Sequence, residues 1–403
     1  MPTCLPIMDM VPLEIWFTII RLAVGEHTGE DKLTTCSGAL KFIGGEDSEE
    51  IKAFRASLVT SRSLVRVNKA WYQMASPFLY EYVLLGRGRG VIPVLAAMKK
   101  SQLMVDENAS GHPIGWWTKR LDVKMRDMAH EPIQTLNALA GIMTCLPNLR
   151  ILIFSVTGHG YDLIPALPPV VLRSLSCPET LRAVHWHTDI LHPEADDWTS
   201  FLEHHPNIES LRSRISVTTG KDKTVRLHSL RTIEILWSPF WDLTRFDLPA
   251  LQSAICRDPG EGNRLFPQLG RTLTTVQFNV VNDLEDLPLF KTSCPNLLQI
   301  NFRLSEWYEL DIVDIARQQF PPSVNTLGIQ IVRGQLSKML AKDLWDDILP
   351  RIVSPAPTLK VIKFLGKLTV RSLRKFPDVL REGVQRMKTL GTIVLDNENY
   401  PMS

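Results

Sequence analysis

Residues 145–154 read CLPNLRILIF, and the pattern within this stretch decides the fold. After Pro147 the chain follows the template Leu-x-x-(apolar)-x-(apolar), with Leu149, Leu152 and Phe154 at the apolar positions. Apolar residues two positions apart point to the same face of a β-strand. Because proline ends a preceding helix, the stretch predicts a helix, a break and then a short buried strand.

The same template recurs along the rest of the chain. Its starting residues, two of them weaker copies at Ile208 and Leu251, are Leu149, Leu181, Ile208, Leu230, Leu251, Leu273, Leu297, Val324, Leu359 and Leu390. Successive copies are separated by about 27 residues on average, a period that indicates a repeat architecture. Similar lead-in sequences, CPETL at 177–181 and CPNLL at 294–298, precede two further copies.

Helix-like segments lie between the copies, which predicts strand-then-helix units stacked side by side. These helices are expected at 133–144, 198–205, 310–319, 337–352 and 373–387, with earlier strands at 79–85 and 121–125. Four prolines between Trp237 and Gly270 indicate a distorted, loop-rich part of the array.

The period and template resemble those of leucine-rich repeats, although the asparagine that usually follows each strand is absent at most positions. The resemblance implies an α/β fold for residues 81–403: an irregular solenoid with a curved parallel sheet and outer helices. The residues between the apolar strand positions would then face the concave surface. This candidate target surface comprises His185, His187, Glu234, Gln277, Asn279, Asn301, Arg303, Gln330, Lys363 and Asp396.

The first 80 residues have a different character, with two apolar helical segments around a polar stretch. Residues 11–20 read VPLEIWFTII, and residues 64–71 read LVRVNKAW. Proline suits the first turn of a helix, and the isoleucines and tryptophan after it have helical spacing. Residues 25–57 carry seven acidic and four basic residues, and they predict a solvated, partly disordered insertion with a short helix at 49–54. A helix is expected over 58–75 and a strand over 78–85.

These two half-motifs resemble the F-box, whose pattern is Leu-Pro-x-Glu-(apolar) followed by Val-(Cys or Ser)-Lys-x-Trp. VPLEI at 11–15 matches the first half, and VNKAW at 67–71 matches the second. SPFLY at 76–80 is similar to the exit from many fungal F-boxes. Two departures are the valine at the first position and the long insertion between the halves.

The resemblance implies a small helical domain over residues 1–80 that binds the adaptor subunit of a cullin–RING ligase. The partner-binding face would comprise Val11, Pro12, Ile15, Ile19 and Ile20. Leu64, Val67 and Trp71 would hold the helical core together. A helix face of this kind docks in a partner's groove through a few apolar anchors.

Composition excludes several other classes. The 403 residues include 45 basic and 43 acidic residues, a balance that gives no electrostatic indication of nucleic-acid or membrane binding. Six cysteines without CxxC spacing are typical of reduced thiols, so we expect a cytoplasmic or nuclear protein. The N-terminus lacks the basic region of a signal peptide, and no apolar run is long enough to span a membrane.

No motif predicts catalysis or a cofactor. His185 and His187 share a strand face, but no cysteine with metal-ligand spacing accompanies them, so no metal is expected. GRGRG at 86–90 lacks the further residues of either phosphate-binding fingerprint. The sequence therefore predicts a non-catalytic ligase adaptor that recruits an unknown target protein. The alternative is a protein-interaction scaffold whose N-terminal helices only cap the solenoid.

Overall fold

The computed structural model describes most of the chain, and the gaps fall mainly between regular elements. The described residues are 12–24, 48–108, 112–127, 131–164, 166–188, 190–213, 224–235, 246–257, 266–267, 269–279, 290–310, 320–333, 335–354 and 358–402. The chain divides into two compact units, one mainly up to Ile208 and the other mainly from Glu209. The domain boundary expected between residues 80 and 81 stays a prediction.

Three helices open the first unit: α1 (Leu13–Val24), α2 (Ser48–Leu64) and α3 (Lys69–Tyr80). Their common core contains Ile20, Val24, Met74 and Ala75. Around it lie partly buried side chains, namely Trp16, Phe17, Leu64, Val65, Trp71 and Phe78.

Parallel strands and helices alternate through the rest of the first unit. The strands are β1 (Tyr82–Leu85), β2 (Arg120–Val123), β3 (Ile151–Phe154) and β4 (Ala183–Trp186). The helices are α4 (Val91–Asn108), α5 (Pro132–Met143), α6 (Pro169–Arg173) and α7 (Ala195–His204). Each strand pairs in parallel with the next, so that Leu121, Leu152 and Val184 lie side by side and buried.

The second unit continues the pattern with β5 (Ser210–Ser213), β6 (Val225–Arg226), β7 (Thr232–Ile235), β8 (Phe246–Asp247), β9 (Ser253–Cys256), β10 (Thr275–Phe278), β11 (Gln299–Leu304), β12 (Thr326–Ile331), β13 (Val361–Phe364) and β14 (Ile393–Leu395). Its helices are α8 (Phe290–Ser293), α9 (Lys338–Asp343), α10 (Leu349–Val353), α11 (Lys367–Arg374) and α12 (Pro377–Thr389). A wider π turn, Leu344–Ile348, joins α9 to α10.

Strand order in this unit follows the chain, from β5 through β7 and β9 to β14, while β6 and β8 form a separate pair. The second residue of each strand in this order is buried and lies beside its equivalent on the next strand, as Ile300, Leu327 and Ile362 do. Parallel strands in chain order with helices between them confirm the predicted leucine-rich-repeat-like α/β fold. Even the weaker copies at Ile208 and Leu251 lead into strands.

Several boundaries differ from the prediction because packing overrides local signals. The helix expected over 58–75 is two helices, since Asn68 caps α3 by accepting a hydrogen bond from the Trp71 N–H at 2.9 Å. The strand expected from Phe78 begins only at Tyr82, because α3 continues through Pro77 and brings Phe78 against the helical core. The helix expected over 373–387 is also divided, at Pro377.

The polar insertion is shorter than expected, because residues 48–57 are part of α2 and Ser57 is buried. Residues 25–47 lie outside the described part of the chain, as do residues 311–319 of another expected helix. In the described ranges, no helix combines the length and apolarity needed to cross a membrane.

The last repeat is shifted by one residue from the predicted template. Val394, and not Ile393, pairs with the buried Ile362, and Ile393 is 56% exposed. Lys363 therefore lies beside Leu395, and Asp396, expected on the concave surface, is 4% exposed. Asp396 instead accepts hydrogen bonds from the backbone N–H groups of Glu398 and Tyr400 in the turn after β14.

Candidate functional site: a helix face and a polar row on the sheet

The predicted partner-binding face of α1 is divided between surface and core. Ile15 and Ile19 are 49% and 44% exposed, and Leu22, one turn further along, is 77% exposed. Residues three and four positions apart share one side of a helix, so these three form an apolar stripe, which we call the α1 stripe. Pro12 is exposed at the start of the helix, whereas Val11 lies outside the described residues.

The opposite side of α1 faces the other two helices. Ile20 is 1% exposed and belongs to the core, so its predicted place on the docking face is wrong. Successive side chains of an α-helix differ in direction by about 100° around the helix axis. Ile20 therefore points to a different side of α1 from Ile19. Trp16 packs against Trp71 with their ring centroids 5.4 Å apart, which places Trp71 against the core as expected.

The predicted core residues Leu64 and Val67 have different environments. Leu64 is partly buried against the helical core. Val67 is 58% exposed, so its predicted core role is wrong. The chain turns between α2 and α3 at this point, with the Val67 N–H donating to the Leu64 carbonyl.

The second candidate site is a row of equivalent positions across the sheet of the second unit. Strand pairing places Arg212, Glu234, Ile255, Gln277, Asn301, Gly328, Lys363 and Leu395 side by side, and we call this set the polar row. Four of the predicted target-surface residues, Glu234, Gln277, Asn301 and Lys363, belong to it. Asn279, Arg303 and Gln330 lie two residues further along their strands.

Most of the row is buried, contrary to the expectation of an open surface. Glu234, Gln277, Asn301 and Lys363 are each at most 3% exposed. Neighbouring strands lie about 4.8 Å apart, so side chains of this size cover one another along the row. Asn279, Arg303 and Gln330, which lie two residues beyond the row, are half-buried. On this face, the part that a partner could reach is therefore smaller than predicted.

The first two residues of the polar row form an ion pair. Arg212 Nε lies 2.6 Å from Glu234 Oε2, and both side chains are largely buried. Burial raises the pKa of the Glu234 carboxyl to about 7, because Arg212 and Arg303 only partly offset the loss of hydration. Burial also lowers the pKa of the Arg212 guanidinium to about 10.

Side-chain hydrogen bonds join two residues of the row to residues two positions away in the chain. Gln277 Nε2 donates to Asn279 Oδ1 at 3.2 Å, and Gln299 Nε2 donates to Asn301 Oδ1 at 2.7 Å. Asn301 lies over Gly328, where any side chain would collide with its carboxamide. These hydrogen bonds order side chains within β11 and along β10, and the Asn301–Gly328 contact packs β11 against β12.

The first unit has a comparable cluster that the sequence interpretation missed. Asp122 accepts hydrogen bonds from Arg120 at 2.8 and 3.0 Å and from the Tyr82 hydroxyl at 2.6 Å. The guanidinium also lies over the Tyr82 ring, 4.5 Å from its centroid. Opposing the effect of burial, the charge of Arg120 holds the pKa of Asp122 below its usual value. Applying the rule for concave-facing residues to the strand already expected at 121–125 would have found Asp122.

His185 lies in β4 of the first unit, and His187 follows that strand directly. Their ring centroids are 6.0 Å apart; His185 is 5% exposed, and His187 is half-buried. Within the described ranges, no group of three histidine, cysteine, aspartate or glutamate side chains could hold a metal ion.

The fold defines the class of this protein, a leucine-rich-repeat-type chain with helices ahead of the repeats. No family model matches the sequence, and no curated protein matches it significantly. Among solved structures, the leucine-rich repeat-containing protein LegL7 from Legionella pneumophila has 10% identity and a TM-score of 0.38, covering 80% of this chain and 92% of that one. The yeast Rad7–Elc1 complex has 12% identity and a TM-score of 0.29, covering 81% and 94%.

Proposed function

We propose that the chain is a non-catalytic substrate adaptor of a cullin–RING ubiquitin ligase. The N-terminal helices bind the ligase's adaptor subunit, and the repeats bind a target protein. The observation that carries this proposal is the exposure of Ile15 and Ile19 on a helix whose opposite side is firmly packed. A cytoplasmic or nuclear location follows from the same role.

The α1 stripe supports this role because an apolar helix face gains free energy when a partner covers it. Ile15, Ile19 and Leu22 span about two helical turns, the spacing that helix-in-groove recognition uses. The Trp16–Trp71 contact holds α1 against α3, so the stripe is presented on a packed scaffold. A rigid scaffold reduces the entropy lost on binding.

A second candidate, a scaffold without ligase recruitment, is favoured by one specific contact. Thr118 Oγ1 donates to the Tyr80 carbonyl at 2.9 Å, and the Glu81 carbonyl accepts from the N–H groups of Lys119 and Arg120. The end of α3 is therefore joined directly to the first strands, as a cap would be. This contact supports the capping role on which the scaffold function depends.

Co-purification of the full chain with the cullin adaptor subunit separates the two functions. We expect the wild-type chain to form a complex and the Ile15→Asp/Ile19→Asp variant to lose it, because two carboxylates would be buried unpaired in the interface. The matched control is Leu103→Asp/Ile133→Asp, which alters two exposed apolar residues on α4 and α5.

The control variant should retain the complex, and both variants should unfold at the wild-type temperature because the altered side chains are exposed. Absence of a complex with the wild-type chain would exclude the ligase role and leave the scaffold. Equal loss in both variants would show that the α1 stripe is not the docking face.

A further inference from the structure

The last 45 described residues have a larger net positive charge than the whole chain. Residues 358–402 contain nine basic and four acidic side chains, a net charge of +5, whereas the whole chain has a net charge of +2. The remainder is therefore net negative. Such asymmetry localises a positive field on one part of the molecule.

Several of these charges are already neutralised by neighbours. Arg374 pairs with Asp396 at 3.0 Å, Arg381 with Asp378 at 3.5 Å, and Arg386 with Asp346. The Arg374 pair joins α11 to the turn after β14, the Arg386 pair joins α12 to the π turn, and the Arg381 pair lies within α12. Among the described residues, a different set of cations on α11 has no ion pair.

Lys367, Arg371 and Lys375 form that set, and all three are exposed. They are four residues apart along α11 and its C-cap, so they share one side of the helix. The stripe is about 12 Å long at a rise of about 1.5 Å per residue. We call it the basic stripe.

The opposite side of α11 packs against other parts of the second unit. Val370 and Leu373 are buried, and the Thr369 hydroxyl donates to the Ile331 carbonyl at 3.3 Å. Gly366, with a positive φ of 81°, makes the turn that directs α11 back along the sheet. The basic stripe therefore stands on a fixed helix and not on a mobile loop.

An apolar side chain adjoins the basic stripe. Leu368 is 58% exposed and precedes Arg371 by three residues, which places the two side chains next to each other on the helix. The stripe has no aromatic ring on which a nucleic-acid base could stack. An apolar contact beside three cations instead suits a peptide that alternates acidic and apolar side chains.

We propose that the basic stripe, together with Leu368, binds an acidic segment of a protein partner. A 12 Å stripe spans about four residues of extended peptide at about 3.3 Å per residue. The inference deepens the proposed function by naming the chemistry of the target, and it rests on that function in taking the repeats to bind a protein. It does not require the α1 stripe.

The test is binding of a fluorescein-labelled Glu-Leu-Glu-Glu-Leu-Glu peptide to the full chain, followed by fluorescence anisotropy. We expect binding by the wild-type chain and at least a fivefold weaker affinity for K367E/R371E/K375E, because the charge reversal replaces three attractions to the acidic peptide with three repulsions. Raising the ionic strength from about 0.1 M to about 1 M should also weaken binding, because the Debye length falls from about 10 Å to about 3 Å.

Two controls make the measurement specific. K99E/K100E/K342E reverses three exposed lysines outside α11, so it matches the change in net charge and should bind within twofold of wild type. A peptide with glutamine in place of glutamate should not bind. Leu368→Asn, which leaves the charge unchanged, should weaken binding severalfold.

Four outcomes would overturn the inference. They are no binding by the wild-type chain, equal weakening in both triple variants, tighter binding of a single-stranded oligonucleotide of equal charge, and wild-type self-association that K367E/R371E/K375E abolishes. Complex formation through the α1 stripe is measured separately. Failure of either proposal is therefore distinguishable from failure of the other.

Discussion

Glu234 shows how a single buried residue can make stability depend on pH. Its carboxylate lies beside Arg212 and is 3% exposed. Desolvation of the charged form is the largest influence and raises the pKa from 4.5 to about 7. The folded state therefore binds a proton more tightly than the unfolded state does between these two values.

We predict that the free energy of unfolding falls as the pH rises from about 4.5 to about 7, because the folded state then loses a proton that the unfolded state has already released. Glu234→Gln should flatten that dependence, since its amide does not titrate. Urea denaturation across this pH window measures the slope. Glu382→Gln, at an exposed position on α12, is the control and should retain the wild-type slope. An unchanged slope in Glu234→Gln would contradict the prediction.

At the scale of elements, the C-terminal helices depend on close packing around one tryptophan. Trp345 lies in the π turn between α9 and α10, is 1% exposed, and contacts the Phe364 ring of β13 with centroids 5.9 Å apart. Gly383 of α12 lies against the same indole, and any Cβ there would overlap it. The glycine thus allows α12 to approach the turn.

We predict that Gly383→Ala destabilises the second unit, although alanine is the better helix former. The gain in helix propensity is about 1 kcal/mol. Overpacking a core contact costs about 1–3 kcal/mol, and the indole has little room to move. The midpoint of urea denaturation should therefore fall. Gln385→Ala, exposed on the same helix, should leave it nearly unchanged. A higher midpoint in Gly383→Ala would show that Trp345 repacks freely.

At the scale of the whole molecule, each repeat touches mainly its neighbours. β3 pairs with β2 and β4, and β11 pairs with β10 and β12. In such arrays, stability is approximately a sum of terms from single repeats and their interfaces. A defect in one repeat should therefore act locally.

We predict local effects for two matched core substitutions, Leu152→Ala in β3 and Ile300→Ala in β11. Both side chains are at most 1% exposed, and each truncation should cost about 2–5 kcal/mol. Amide hydrogen exchange should accelerate mainly in β2–β4 for the first variant and in β10–β12 for the second. Equal acceleration throughout the chain in either variant would instead indicate a single cooperative unit.

Residues of the same type show which features of the structure can be predicted from the sequence alone. The spacing of Leu149, Leu152 and Phe154 identified a buried strand, because alternation within a strand depends only on local geometry. Ile19 and Ile20 are chemically identical neighbours, yet one is exposed and one is buried. The exposure of each side chain depends on where α2 and α3 pack against α1. The local sequence pattern carries no information about that packing.

The sequence by itself determined the repeat, its strands and its fold class, because the period of apolar residues is a local property repeated along the chain. Only the tertiary structure decided that the polar row is mostly buried and that Glu234 pairs with Arg212. It also decided that the cations of α11 remain exposed beside Leu368. The physical reason is that burial and pairing depend on neighbours about 20 or more residues away in sequence, which the repeat brings within contact distance.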